Sequence, residues 1–152
     1  MCVQKCSQNL PEYADDSTQR CVPVCPSIPS LYGENLTSGP KCVPSCQTAN
    51  YFTLNTTRIC VTDCPVPYFA DPITADCAEH CQINHDLYAD NVSRSCIGTC
   101  PNVTIGGNLT YTYADDSTKR CVWQCPFSPS TYGDNFTNTC VSKCPTDSYG
   151  DN

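Results

Sequence analysis

The chain has 152 residues, a net charge of −7 with only 8 Lys+Arg, and 16 cysteines. Leu, Ile, Val and Phe together number 26, below the roughly one fifth at which a chain has enough core-forming residues, so one ordinary globular domain is excluded and cross-links must replace the missing interior. The lack of a basic stripe argues against nucleic acid, and no apolar run approaches the ~20 residues of a membrane span.

Along the chain the cysteines fall into eight pairs with three residues between partners, starting at Cys2, Cys21, Cys42, Cys60, Cys77, Cys96, Cys121 and Cys140. Successive starts lie 19, 21, 18, 17, 19, 25 and 19 residues apart. A period near twenty marks a tandem array of small units over residues 1–152. Val follows the first cysteine in most units, as at Val22 and Val122, and Pro follows the second, as at Pro26 and Pro126. Pro sends the chain out extended. A tyrosine frame follows, at Tyr13, Tyr32, Tyr51, Tyr68, Tyr88, Tyr113, Tyr132 and Tyr149, with Tyr111 outside it. Its rings supply the apolar area of a mini-core packed on the nearby disulfide, with the hydroxyl in water. Next comes an Ala/Gly-Asp-Asp/Asn run, which is turn chemistry able to enter the left-handed region. Thr and Val around the next cysteine favour a short strand. Each unit therefore reads as a β-hairpin-like bow closed by a disulfide. The predicted fold class is a disulfide-rich linear array of bows with little or no helix and no large core. Residues 101–112, PNVTIGGNLTYT, read as an exposed loop insertion with a Gly-Gly hinge.

A longer period overlies the short one. YADDSTQRCVPVCP at Tyr13–Pro26 returns as YADDSTKRCVWQCP at Tyr113–Pro126, an offset of 100 residues and five cysteine pairs. Joining neighbouring pairs two by two would make the copies at Cys21 and Cys121 bond in opposite directions. A chained scheme treats all units alike: Cys6–Cys21, Cys25–Cys42, Cys46–Cys60, Cys64–Cys77, Cys81–Cys96, Cys100–Cys121 and Cys125–Cys140. Spacing alone does not fix connectivity. Cys2 and Cys144 then pair outside the segment. The chain opens in mid-repeat, with Met1 followed at once by Cys2, and stops at YGDN, the pattern of a segment from a longer, processed array. The competing reading uses the open cysteines to join subunits covalently.

Disulfides need an oxidising compartment. Six N-x-Ser/Thr sequons, at Asn35, Asn55, Asn91, Asn102, Asn108 and Asn135, agree with a secreted or cell-surface glycoprotein. Asn35, Asn91 and Asn135 hold the same place in their repeats. Zinc fits paired cysteines in principle, but only His80 and His85 accompany them. Calcium is the stronger rival, because Asp15, Asp16, Asp71, Asp90, Asp115, Asp116, Asp134 and Asp151 recur in the turns. Turn capping is the simpler role, and the expectation is no cofactor and no enzyme. Trp123, between Cys121 and Cys125, is the candidate interface residue.

The string CPxxxxYxDxxxxxCVxxCP resembles the furin-like cysteine-rich repeats of growth-factor-receptor ectodomains. It is closer still to the cysteine-rich repeat proteins on the surfaces of ciliates and other protists. The resemblance covers nearly the whole chain and implies stacked disulfide bows in an extracellular or surface protein. It carries over no catalytic residue. The expected function is an extracellular structural glycoprotein whose repeats form a filament, fibril, surface coat or appendage, with itself as partner. The alternative is the stalk or ligand-binding repeats of a receptor or adhesin.

Overall fold

The computed structural model describes residues 5–7, 12–82, 85–146 and 148–149. Among them the chain is a succession of short antiparallel hairpins with no α-helix. The hairpins are β1 (Tyr13–Asp15) with β2 (Arg20–Val22), β3 (Tyr32–Leu36) with β4 (Gly39–Val43), β5 (Phe52–Leu54) with β6 (Ile59–Val61), and β7 (Phe69–Asp71) with β8 (Asp76–Ala78). Then come β9 (Tyr88–Asp90) with β10 (Ser95–Ile97), β11 (Val103–Ile105) with β12 (Asn108–Thr110), β13 (Tyr113–Asp115) with β14 (Arg120–Val122), and β15 (Tyr132–Asp134) with β16 (Thr139–Val141).

Most hairpins share one plan. The first strand ends on an aspartate whose carboxylate takes donors from the turn. Asp15 accepts from the Ser17 N–H at 3.0 Å and the Thr18 hydroxyl at 2.7 Å. Asp115 does the same with Ser117 and Thr118, Asp90 with the N–H groups of Val92 and Ser93, Asp71 with Ile73, and Asp134 with Phe136 and Thr137. This is the Asx chemistry expected of the run. The left-handed residue lies elsewhere: it is the last turn residue, at Gln19, Arg58, Ala75, Arg94, Lys119 and Asn138, with φ between 52° and 59°. An L-residue in that region costs about 1–2 kcal/mol.

The insertion at 101–112 contains a hairpin rather than a loop. Gly106 and Gly107, both at positive φ (58° and 85°), make its two-residue turn between β11 and β12. Two successive positive φ values match strand twist and suit glycine.

Seven disulfides join Cys6–Cys21, Cys25–Cys42, Cys46–Cys60, Cys64–Cys77, Cys81–Cys96, Cys100–Cys121 and Cys125–Cys140, the chained pairing. Five of them tie the exit of one hairpin to the second strand of the next; Cys100–Cys121 reaches past the β11–β12 hairpin to β14, and Cys6 precedes β1. Cys144 is free and half-buried, and Cys2 lies outside the described residues.

The chain divides into two compact units, Met1–Ala78 and Glu79–Asn152. In the first, the strand order is β7-β8-β5-β6-β3-β4-β1-β2; in the second, β15-β16-β13-β14-β9-β10, with β11-β12 as a separate pair. Neighbouring hairpins within a unit pair in parallel through single positions: Ala14↔Lys41, Gly33↔Ile59 and Thr53↔Asp76, then Ala89↔Arg120 and Ala114↔Thr139. In place of one core there is a series of mini-cores. Tyr13 packs with Cys25 and Cys42; Leu54 and Ala70 with Cys64 and Cys77; Tyr88 and Ala114 with Cys100 and Cys121.

Candidate functional site

The feature repeated along the chain is the seam between consecutive hairpins. Four contacts build it. The first is the disulfide. The second is one backbone hydrogen bond, from the second residue of a first strand to the carbonyl of the left-handed residue in the hairpin beside it in the sheet. Gly33 donates to Arg58 at 2.8 Å, Thr53 to Ala75 at 2.8 Å, Ala89 to Lys119 at 2.9 Å and Ala114 to Asn138 at 2.8 Å. The left-handed conformation turns that carbonyl out of its own hairpin, so the local strain is offset by a bond to the neighbour.

The third contact corrects an expectation. The tyrosine hydroxyls are not in water where a partner is available. Tyr32 donates to Asn55 Oδ1, Tyr113 to Asn135 Oδ1, and Tyr88 to Asp116 Oδ1 at 2.8 Å. In each case the acceptor is the first loop residue of the hairpin next to it in the sheet. A buried ring with a polar tip needs such a partner. The frame itself also shifts. In the third and fourth hairpins the strand opens on Phe52 and Phe69, with Tyr51 and Tyr68 one position earlier. A one-residue slip moves a side chain to the other face. Phe52 has no hydroxyl, and the first loop residue of the next hairpin, Pro72, offers no side-chain acceptor.

The fourth contact is cover from above. Long side chains at the left-handed position fold back over the preceding ring: the Arg58 guanidinium lies 4.6 Å from the Tyr32 centroid, and Lys119 Nζ 4.9 Å from that of Tyr88. Arg58 also donates to the Pro26 and Leu31 carbonyls at 2.9 and 2.8 Å. Such cation–π contacts contribute about 0.5–1 kcal/mol at exposed sites. Below the rings lie small residues. A Cβ on Gly33 would come within 2.5 Å of the Tyr13 ring, and one on Gly133 within 2.5 Å of Tyr113.

The electrostatics of the seam follow. Hydroxyls of Ser17 and Thr18 hold the Asp15 carboxyl below its ordinary value. Burial pushes Asp115 up, but donors from Thr118 and Ser117 outweigh it and leave it lowered. Lys119 and then Tyr88 lower Asp116, and Thr137 and then the Phe136 N–H lower Asp134. Burial raises Tyr88 and Tyr113, helped at Tyr88 by the Asp116 carboxylate that accepts its proton. A lowered aspartate contributes stability above its unfolded pKa of about 3.9 and loses it as pH falls through the folded value. A raised tyrosine contributes stability below its unfolded pKa of about 10 and loses it as pH climbs through the folded value. Thermal melts from pH 3 to 11 are thus expected to be flat from about pH 5 to pH 9 and to fall on both sides. A transition in the neutral range would contradict this set of contacts.

All six sequon asparagines are exposed, Asn102 and Asn108 on and beside the extra hairpin. Asp16 pairs with Lys41 at 2.6 Å, and Asp151 lies outside the described residues. Among the described residues no three His, Cys, Asp or Glu side chains gather as a metal site would require, and His80 and His85 are both exposed. Trp123 is 48% exposed and lines a groove of about 400 Å3 with Phe127, Tyr132 and Asn135. Sequence reasoning missed the groove, although the signal was present: Trp123 and Phe127 replace Pro23 and Ser27 of the copy 100 residues earlier. No protein-family model matches the chain, and neither a curated protein nor a solved structure shows significant similarity to it.

Proposed function

We propose that this chain is an extracellular structural glycoprotein whose cystine hairpins stack into a filament, surface coat or appendage, with copies of itself as partner. The observation that carries the reading is the seam, which uses the same backbone bond at four places and requires nothing unique to any one hairpin. Such quasi-one-dimensional stacking has no built-in stop. A contact between unlike ends is heterologous and propagates unless it closes into a ring. Seven disulfides fit an oxidising, extracellular setting. No helix among the described residues is long and apolar enough to cross a membrane. Six exposed sequons suit a glycan-covered lateral surface. The resemblance to furin-like repeats and protist surface proteins points the same way.

Electron microscopy of native, unreduced material tests the reading. Regular filaments with extra density at the sequons are the expected result. Material that stays monomeric at every concentration would sink it. The second reading, a receptor or adhesin stalk, is favoured by the groove at Trp123. Isolated rods and a partner lost on Trp123→Ala would establish it instead.

A further inference from the structure

We infer that the groove beside Trp123 is the seat of the first sugars of an N-linked glycan on Asn135, an inference that rests on the glycoprotein reading. Asn135 stands in the turn between β15 and β16 and forms part of the groove wall. Its Oδ1 accepts the Tyr113 hydroxyl, so the amide is pinned through its oxygen. The sugar-bearing atom is Nδ2, which has no hydrogen-bond partner among the described residues. The sequon is Asn135-Phe136-Thr137. The Tyr113 ring in turn rests where Gly133 has no side chain. The attachment point is therefore fixed in direction by the seam itself.

What it faces has the chemistry of a saccharide site. Trp123, Phe127, Tyr132 and Tyr149 line the groove, with Trp123 48% and Phe127 68% exposed. Aromatic faces stack on the C–H faces of a pyranose while polar groups meet its hydroxyls, and Gln124 and Thr131 also line the groove. A volume of about 400 Å3 lies at the lower end of small-ligand sites, about 300–1,000 Å3. A free ligand would need to find this groove, whereas a glycan on Asn135 is tethered to its wall. The Asn55 sequon supplies an internal contrast. Its oxygen is pinned in the same way by Tyr32, but the positions matching Trp123 and Phe127 are Pro44 and Thr48. A glycan on Asn55 would be held at its root and free beyond it.

Trp123 is the single tryptophan of the chain, which makes the test direct. The full chain is secreted from a glycosylating host, and occupancy of each sequon is measured by mass spectrometry. The sugars are then trimmed off at the asparagine itself with a peptide-N-glycosidase under native conditions while acrylamide quenching of Trp123 is followed. Quenching is expected to rise about twofold on trimming, since an aromatic face that stacks on sugar is uncovered. In Asn135→Gln, trimming the remaining sugars is expected to leave it unchanged. In Trp123→Ala, the Asn135 sugar is expected to be trimmed as fast as that on Asn55. An occupied Asn135 whose trimming leaves quenching unaltered overturns the inference, as does an empty Asn135 on a chain glycosylated elsewhere. A chain with no sugar at any of the six sequons overturns the glycoprotein reading beneath it.

Discussion

Replacing Cys100 and Cys121 together by serine is expected to open the hairpin of β13 and β14 while leaving the Met1–Ala78 unit intact. This bridge spans the longest loop of the seven, a separation of 21 residues. Closing such a loop stabilises by about 3 kcal/mol in the chain-entropy model. The change also damages the mini-core. Cys100 is fully buried and Cys121 nearly so, packed with Tyr88 and Ala114, and each buried hydroxyl without a partner costs about another 1 kcal/mol or more. Amide hydrogen exchange is the measurement. The Ala89 N–H bonded to Lys119 and the Ala114 N–H bonded to Asn138 should exchange roughly a hundredfold faster or more, the equivalent of about 3 kcal/mol. The Gly33 and Thr53 amides, in the other unit, should not change, because in a repeat array each unit depends on its neighbours. Equal acceleration in both units would show one cooperative body and refute the seam-by-seam account.

Much of this architecture was legible in the residues. Spacing exposed the period, and the odd five-pair offset favoured the chained disulfides. The hairpins follow from turn chemistry between strand-forming residues. The ring frame was misaligned at Tyr51 and Tyr68 because it was matched by residue type. Counting eight positions back from the leading cysteine lands on Tyr13, Phe52, Phe69, Tyr88, Tyr113 and Tyr132, the observed strand starts. The extra hairpin was also readable, since Gly106-Gly107 between Val103–Ile105 and Asn108–Thr110 is a two-residue turn signal. The seam was not. A left-handed Arg58 or Lys119 carries no local signature; it is stabilised by a bond to a strand roughly 25–30 residues away in sequence. The tyrosine–Asx contacts likewise join positions 22 to 28 apart, and they exist only once the hairpins have stacked. Of the groove beside Trp123, only Trp123 and the sequon residue Asn135 could be named in advance.

Glu34→Ala is expected to loosen the segment after Cys46 by about 3 kcal/mol, the loss of two charge-assisted hydrogen bonds. By position Glu34 matches the capping aspartates, yet it has a different task. The hairpin of β3 and β4 is longer, its turn closes at Gly39 with φ 124°, and there is no four-residue loop beneath Glu34 to cap. The longer side chain reaches forward instead. Its carboxylate accepts the Gln47 N–H at 2.8 Å and the Thr48 N–H at 2.7 Å, and the residue is completely buried. A carboxylate buried this deeply is tolerated because both oxygens are satisfied. Alanine leaves two amides without acceptors. Glutamine keeps one carbonyl and turns an NH2 toward the other amide, so it should preserve about half the effect. Exchange at Gln47 and Thr48 reports both variants. Under Glu34→Ala both amides should exchange about a hundredfold faster, and under Glu34→Gln one of the two should stay protected. If both remain protected in the alanine variant, water or the neighbouring hairpin supports this segment and Glu34 does not. If both are lost in the glutamine variant, the negative charge rather than the pair of acceptors holds it.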